Sequence, residues 1–289
     1  MSNINFFRVL QSGGFGGSSG GEIDWDDFTL SKTSPNLSVV AIDLDVNPDQ
    51  TEIFFAVNLT KRIDVYDFDT TGDVSGGFTL STTGTTLDKW PQSFQFNPTG
   101  TKIFAIMRNS SAGTTSGIYQ YNLSTAWDTS TMPSTEDEYV AFSTLNSNIN
   151  SPSNRSFAID EDGLNIYFSA FTNISGDAGP YLYKVPLSTA FDLSSYGTIS
   201  SEESPTASQI AVCTFSINTD RYITYTHVSS GQILKNGIDI PGDQVDSQTN
   251  IDERVYITTT PDNETFFGMN QFNPGSGFVS VVYQFTTSF

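Results

Sequence analysis

The chain has 289 residues and a formal net charge of −20, from 12 Lys and Arg against 32 Asp and Glu. Such an acidic surface repels phosphate backbones and anionic membranes, which argues against nucleic-acid binding and favours a role of the charge in solubility. No run of 18 apolar residues occurs, so we expect no membrane insertion, and the lone cysteine excludes an intrachain disulfide.

The first 22 residues differ from the rest of the chain. Residues 4–10 are mostly apolar and residues 11–21 are rich in Gly and Ser, which is typical of a flexible linker. This tail either folds back on its own domain or docks into a partner, for instance by adding a strand to a sheet edge. We predict an anchor and linker at 1–22 and one domain at 23–289. The anchor would bury five apolar side chains in the partner: Ile4, Phe6, Phe7, Val9 and Leu10.

One β-hairpin pattern occurs five times, as strand, tight turn and strand. The clearest copy is Phe94 to Ile106, whose Asn-Pro-x-Gly turn is a strong hairpin signal. Such repetition indicates that one structural unit is repeated along the chain. The copies span residues 44–55, 94–106, 157–167, 215–223 and 259–267.

Each unit also has a third and a fourth strand. The segment Phe-Thr-Leu-Ser occurs at 28–31 and at 78–81, and 78 − 28 = 50 equals the spacing of the first two hairpins, 96 − 46 = 50. Residues 142–144 take nearly the same place before the third hairpin, and residues 62–68 are a third strand. Four antiparallel strands per unit match the size of a propeller blade.

The two ends of the chain complete each other in this scheme. The fifth unit has no fourth strand after residues 278–285, while residues 28–31 form a fourth strand with no unit before it. Pairing them would close a ring and remove two exposed edges. The predicted fold is therefore all-β: a single β-propeller of five four-stranded blades, closed by an N-terminal strand that completes the last blade.

A second repeat follows the third strands. Leu-Ser-Thr-Ala-Trp-Asp at 123–128 returns as Leu-Ser-Thr-Ala-Phe-Asp at 187–192. We interpret it as a turn in which the Asp caps local amides and the aromatic residue covers the blade edge.

These repeats resemble those of structural proteins of tailed phages from aquatic bacteria. The resemblance rests on the turn at 97–104, on the Ile-Tyr-Gln-Tyr-x-Leu-Ser-Thr-Ala-Trp-Asp segment at 118–128 and on the opening residues 4–14. It implies a virion component, made in the host cytoplasm, that binds other virion proteins through its N-terminal segment.

Sites for catalysis or metal binding are few. His227 is the only histidine, so a site with several histidines is excluded, and Cys213 reads as a buried strand residue. Acidic residues surround glycine turns at 160–163 and 67–73, but neither has the spacing of a calcium-binding EF-hand loop. Turn formation explains the first of them.

Propeller enzymes hold metals near the axis, where the first strands begin. The corresponding positions here are Asp43, Gln92, Asn154 and Arg155, which lack paired carboxylates. Trp25, Trp90 and Trp127 could stack on sugars, although no residue pattern selects one of them.

The sequence therefore predicts a non-enzymatic virion component of the tail, a fibre or the head, without cofactor or metal. Two alternatives stay open: a propeller that binds a host receptor or carbohydrate, and a calcium-dependent hydrolase of the lactonase type.

Overall fold

The protein is described by a computed structural model, which places residues 10–11, 29–37, 39–108, 117–150, 157–172, 180–203, 210–217, 220–229, 232–234, 254–259, 265–272 and 279–286. Within these ranges the chain is nearly all-β and forms five antiparallel sheets, called sheets I to V. Four-stranded antiparallel sheets in series are consistent with a propeller, as the sequence predicts.

Two strands precede the first complete hairpin, β1 (Leu10–Gln11) and β2 (Thr29–Thr33). Sheet I contains β3 (Asp43–Val46), β4 (Glu52–Val57), β5 (Arg62–Phe68) and β6 (Phe78–Thr82). Sheet II contains β7 (Trp90–Phe96), β8 (Lys102–Arg108), β9 (Gly117–Asn122) and β10 (Glu138–Ala141). Sheet III contains β11 (Ile149–Asn150), β12 (Phe157–Ile159), β13 (Asn165–Thr172), β14 (Pro180–Pro186) and β15 (Ser200–Glu203).

Sheet IV contains β16 (Ile210–Ile217), β17 (Asp220–Ser229) and β18 (Gln232–Leu234), together with β1. Sheet V contains β19 (Arg254–Thr259), β20 (Thr265–Phe272) and β21 (Val279–Thr286), together with β2. Helical structure in the described ranges is limited to α1 (Phe142–Leu145) and to short 3-10 turns at Asn58–Thr60, Val74–Gly76, Thr129–Thr131 and Leu193–Ser195.

All five predicted hairpins are confirmed as antiparallel pairs, one in each sheet. The turns of the hairpins in sheets I, II and III follow from the sequence, because a short polar side chain at the first position binds the backbone that returns. The Oδ1 atom of Asn47 accepts hydrogen bonds from the amides of Thr51 and Glu52 at 3.0 and 2.9 Å. Asp160 does the same for the amides of Leu164 and Asn165, both at 2.9 Å.

One predicted fourth strand is shifted. The sequence placed it at residues 142–144, but β10 ends at Ala141 and Phe142 begins the helical turn α1. Phe142 is buried against Phe168, with ring centroids 4.9 Å apart, so its apolar character serves the core rather than strand pairing.

The two ends of the chain meet in sheet V, as predicted. Strand β2 pairs with β21, and the amide of Ser34 donates to the carbonyl oxygen of Val282 at 2.8 Å. Strand β1 pairs with β17 of sheet IV, with Leu10 opposite Ile223. Residues 10–11 therefore add a short strand to sheet IV of the chain itself.

The first strands of the five hairpins lie side by side in successive sheets. Strand β3 contacts β7, β7 contacts β12, β12 contacts β16, β16 contacts β19, and β19 contacts β3. A series of neighbours that returns to its starting strand is the arrangement that a closed ring of sheets requires.

Side chains on the first strands also bond neighbouring sheets. The Oδ2 atom of Asp45 accepts from the amide of Phe96 at 2.8 Å, and the Oε1 atom of Gln95 accepts from the amide of Ile159 at 2.8 Å. The two bonds occupy equivalent positions in the repeat. The accepting residues are separated by 95 − 45 = 50 positions, which is the offset between the first and second hairpins, and the donating residues by 159 − 96 = 63, which is the offset between the second and third. The same polar bridge thus fixes sheet I to sheet II and sheet II to sheet III.

The described core consists of two apolar clusters. One joins sheets I and II to residues of sheet V such as Phe267, and the other joins sheets II and III. No helix in the described part of the chain is long and apolar enough to cross a membrane.

Candidate functional site

A capped turn recurs after the third strand of sheets I, II and III. The Oδ1 atoms of Asp73, Asp128 and Asp192 accept from the amide of the serine two residues later, at 2.9, 2.9 and 3.0 Å. A side-chain oxygen at this position satisfies an amide that the 3-10 turn leaves without a partner. The capping role predicted for this Asp is confirmed.

An aromatic residue precedes this Asp in sheets II and III and packs on the glycine of the hairpin turn. A Cβ atom at Gly100 would lie 2.3 Å from the Trp127 ring, and one at Gly163 would lie 2.4 Å from the Phe191 ring. The amide of Trp127 also donates to the carbonyl oxygen of Gly100 at 2.9 Å. Trp127 packs against Phe96 at 4.9 Å between ring centroids, so its indole is held in place while it stays partly exposed.

The exposed part of Trp127 lines a groove of about 590 Å³ between sheets I and II. One wall is the β3–β4 turn of sheet I, and the other is the segment around Trp127 of sheet II. We call this space the I–II groove. Its lining residues are Asn47, Pro48, Asp49, Thr51, Glu52, Val65, Thr82, Ala126, Trp127 and Asp128.

The I–II groove is open because sheets I and II carry different residues at one equivalent position of the repeat. Lys102 occupies in sheet II the place that Glu52 occupies in sheet I, since both follow the turn by the same number of residues (102 − 52 = 50). Lys102 crosses to sheet III and donates from Nζ to the carbonyl oxygen of Phe191 at 2.7 Å. Glu52 has no ammonium group with which to make the equivalent bond to the carbonyl oxygen of Trp127.

A second position contributes to the opening. Gln120 of sheet II accepts through Oε1 from the amide of Leu193 at 2.8 Å, and Gln284 of sheet V accepts from the amide of Val74. The residue of sheet I at the position of Gln120 is Val65, which cannot form this bridge and lines the groove instead.

Three carboxyl groups face the I–II groove: those of Asp49, Glu52 and Asp128. Partial burial raises the pKa of Glu52, and the nearby charges of Asp67, Asp49 and Asp128 raise it further. A hydrogen bond from Asn47 Nδ2 to Glu52 Oε2, at 3.1 Å, opposes this rise and fixes the orientation of the carboxyl group.

The arrangement has two chemical capacities. A fixed, partly exposed indole offers a flat apolar face to a sugar ring. A carboxyl group with a raised pKa opposite a second carboxylate is the pairing that a general acid and a general base require. Glu52 lies on the wall of sheet I and Asp128 on the wall of sheet II, so the two flank the space between them.

The positions considered near the axis do not form a site in the described residues. Asp43 is buried, and its carboxyl oxygens accept from the amides of Leu44 and Phe94 at 2.9 and 2.7 Å. Burial raises the pKa of Asp43 to about 8, against hydrogen bonds from Ser93 and those two amides. Gln92 is also buried and donates to the carbonyl of Pro91.

Other residues singled out in the sequence have structural positions or lie outside the described part. Trp90 carries the Lys61 ammonium at 3.8 Å from its ring centroid, so that face is occupied. His227 lies in β17 and Cys213 in β16. Outside the described residues are Trp25, Asn154 and Arg155, and the anchor residues Ile4, Phe6, Phe7 and Val9. No group of three or more His, Cys, Asp and Glu residues in the described ranges is arranged to hold a metal ion.

Comparison with known proteins gives matches by fold. No family model matches the chain, and no curated protein matches its sequence. The chain is similar to the crystal structure of a thermostable family-43 glycoside hydrolase, with a TM-score of 0.52 and 14% identity over 86% of this chain and 93% of that one.

Two further structures are similar at lower TM-scores. An alpha-L-arabinofuranosidase from Lactobacillus brevis has a TM-score of 0.49 and 11% identity, over 85% of this chain and 92% of that one. A calcium-binding regucalcin from Agrobacterium tumefaciens has a TM-score of 0.44 and 10% identity, over 90% of this chain and 96% of that one.

These comparisons correct the functional prediction. The sequence predicted a non-enzymatic structural component of a phage virion, and that prediction is wrong, because the chain shares its fold with a family-43 glycoside hydrolase. The sugar-binding and hydrolase alternatives agree better with this fold. At 14% identity the likeness defines the fold alone and leaves the substrate to the residues of the groove. The phage resemblance, the virion location, its protein partners and the anchor at residues 1–22 stay predictions.

Sequence reasoning missed Glu52, Asp49 and Asp128 as a group. It named Trp127 as an aromatic that covers the blade edge and as one of three tryptophans that could stack on sugars, without selecting it. A signal was present in the repeats, because the residue after the shared turn is Glu in one unit and Lys in the next. What the sequence did not give is the contact between the turn of sheet I and the Trp127 segment of sheet II, which depends on how the two sheets pack.

Proposed function

We propose that this protein is a five-bladed propeller hydrolase that binds a saccharide in the I–II groove and cleaves a glycosidic bond there. The observation that carries the proposal is that Trp127, Glu52 and Asp128 line the same groove. The groove, at about 590 Å³, is within the range of roughly 300–1,000 Å³ typical of small-molecule sites. The likeness of fold to a family-43 glycoside hydrolase supports the proposal.

Five blades are the count that the sheet contacts support. Each of the five sheets has its first strand next to that of the following sheet, and β19 of sheet V lies against β3 of sheet I. Strand β2 supplies the outer strand of sheet V. Each sheet would then be one blade, with the I–II groove between the first and second blades.

The proposed reaction assigns one role to each side chain. A sugar ring stacks on the indole of Trp127. Glu52, whose pKa is raised, gives its proton to the glycosidic oxygen as the bond to the anomeric carbon breaks. A water molecule adds to the anomeric carbon, and Asp128 takes its proton. The products are two shorter saccharides, and the two carboxyl groups exchange protons with water to restore the starting state.

A panel of oligosaccharides and aryl glycosides, incubated with the full chain, tests this function by the release of new reducing ends. Glu52→Gln keeps an oxygen that can accept from Asn47 but removes the acidic proton, so we expect cleavage to fall by about 100-fold or more. Glu138→Gln, at an exposed position of β10, is the matched control and should cleave normally.

The outcomes distinguish a hydrolase from a propeller that only binds sugars. Cleavage that survives in Glu52→Gln would exclude this acid, and an absence of cleavage by the wild type across the panel would contradict the hydrolase. Binding without cleavage would favour the alternative of a sugar-binding propeller, for which Trp127 is again the contact residue.

A further inference from the structure

The charges around the I–II groove are of one sign. Of the ten described residues that line it, three are acidic and none is Lys, Arg or His. Asp67 adds a fourth negative charge that acts on Glu52. A ligand in this space therefore meets a negative potential from both walls.

Three basic side chains near sheets I and II contact groups outside the groove. Arg62 is paired with Asp64 at 3.1 Å, and Lys102 donates to the carbonyl oxygen of Phe191 at 2.7 Å. Lys89 contacts the carboxylates of Asp88 and Glu136 at 2.7 and 2.8 Å. None of these three cations lines the groove to offset its acids.

The acidic and amide side chains of the groove present mainly hydrogen-bond acceptors. The carboxylates offer acceptor oxygens, whereas the side-chain amide of Asn47 is already donated to Thr51 and Glu52, at 2.9 and 3.1 Å. A saccharide hydroxyl can donate to a carboxylate, whereas a ligand carboxylate or sulfate has only acceptors and would face other acceptors. Its negative charge would be repelled as well.

We propose that the I–II groove is selective for uncharged saccharides and rejects those that carry carboxylates or sulfates. This inference rests on the proposed function and adds the class of substrate. Asp49 and Asp128, one on each wall, are its specificity-determining residues. Trp127 supplies an affinity that is independent of ligand charge.

Calorimetric titration of the full-length Glu52→Gln variant tests the selectivity, because we expect this variant to bind a saccharide and to cleave it too slowly to disturb the titration. The probes are the neutral cellotetraose and xylotetraose, and tetragalacturonate, which carries one carboxylate on each sugar. We expect a neutral tetramer to bind and tetragalacturonate to bind at least about tenfold more weakly at low salt. The difference should narrow at about 0.5 M salt, where charges are screened beyond a few ångströms.

Neutral substitutions in the groove sharpen the test. Adding Asp49→Asn and Asp128→Asn to Glu52→Gln should reduce the difference in affinity between a neutral tetramer and tetragalacturonate to about threefold or less. The charge repulsion is then removed, while both amide oxygens can still accept hydrogen bonds. Asp192→Asn changes the equivalent capping residue of sheet III and should leave the ratio unchanged.

The results distinguish this inference from the function on which it rests. Equal or tighter binding of tetragalacturonate would overturn the selectivity and leave the saccharide site standing. Binding of no saccharide at all, by the variant or the wild type, would overturn the proposed function and this inference together.

Discussion

Lys102 donates a hydrogen bond from its Nζ atom to the carbonyl oxygen of Phe191 at 2.7 Å and so connects sheet II to sheet III. At the equivalent place between sheets I and II stand Glu52 and Trp127, and there the groove is open. The same position of the repeat thus carries a hydrogen-bond donor in sheet II and a carboxyl group in sheet I. The first position bridges two sheets, whereas the second lines the I–II groove.

Glu52→Lys should close the I–II groove. The new ammonium can reach the carbonyl of Trp127 as Lys102 reaches that of Phe191, and it removes the proposed acid. We expect saccharide binding and cleavage to be lost while the melting temperature stays within a few degrees of wild type. The matched control, Lys102→Met, removes the existing bond and should leave saccharide binding intact. A Glu52→Lys protein that still binds sugar would exclude the groove as the site.

Gly100→Ala should destabilise the fold by roughly 2–4 kcal/mol in the free energy of unfolding. Gly100 has φ of 67°, and its new Cβ would lie 2.3 Å from the Trp127 ring. The displaced indole should also weaken saccharide binding. Gly76→Ala is the control, because its nearest neighbour would be Thr70 Oγ1 at 3.5 Å. Urea denaturation of both variants measures the difference, and equal stability of the two would argue against this packing.

Asp43 should make stability depend on pH. Burial raises the pKa of Asp43 from 3.8 to about 8, so between these values the folded state holds a proton that the unfolded state has released. Stability is therefore greatest below about pH 4 with respect to this group and falls as the pH rises to about 8, by roughly 2–5 kcal/mol. Asp160, whose pKa is raised to about 6, acts in the same direction.

Substitution separates the contribution of Asp43. Asp43→Asn cannot ionise, so the difference in unfolding free energy between this variant and wild type should change across pH 4–8. Asp69→Asn, at an exposed position, should keep the wild-type slope. Urea midpoints measured across that range test the prediction, and a constant difference for Asp43→Asn would show that the group does not titrate there.

Removal of β2 should open sheet V. A chain that begins at residue 34 lacks the partner of β21 and exposes the edge of that strand, so we expect a lower melting temperature and aggregation. Of the described strands, a chain that begins at residue 23 loses β1 alone, and it should stay folded and monodisperse. Gel filtration and thermal unfolding compare the two. Equal behaviour of both truncations would contradict the closure through β2.

The sequence predicted the fold well because repetition carries the information. Five hairpins share one strand–turn–strand pattern. An unmatched fourth strand at one end completes an incomplete sheet at the other, which the pairing of β2 with β21 confirms. The prediction failed at Phe142, because an apolar residue before a first strand is compatible with either an outer strand or a helical turn that faces the core.

The candidate site could be predicted only in part. The capping role of Asp128 follows from local sequence, since the amide that it binds is two residues away. The meeting of Glu52 with Trp127 does not, because the residues are 75 positions apart (127 − 52 = 75) and belong to different sheets. Their proximity depends on the packing angle between sheets, which no residue pattern specifies.

Whether the I–II groove is the saccharide site is best tested by a crystal structure of the Glu52→Gln variant soaked with a neutral tetrasaccharide that the wild type cleaves. We expect a sugar ring stacked on the indole of Trp127, with its glycosidic oxygen within hydrogen-bond distance of residue 52. A saccharide bound at the axis of the sheets, or anywhere away from Trp127, would contradict it.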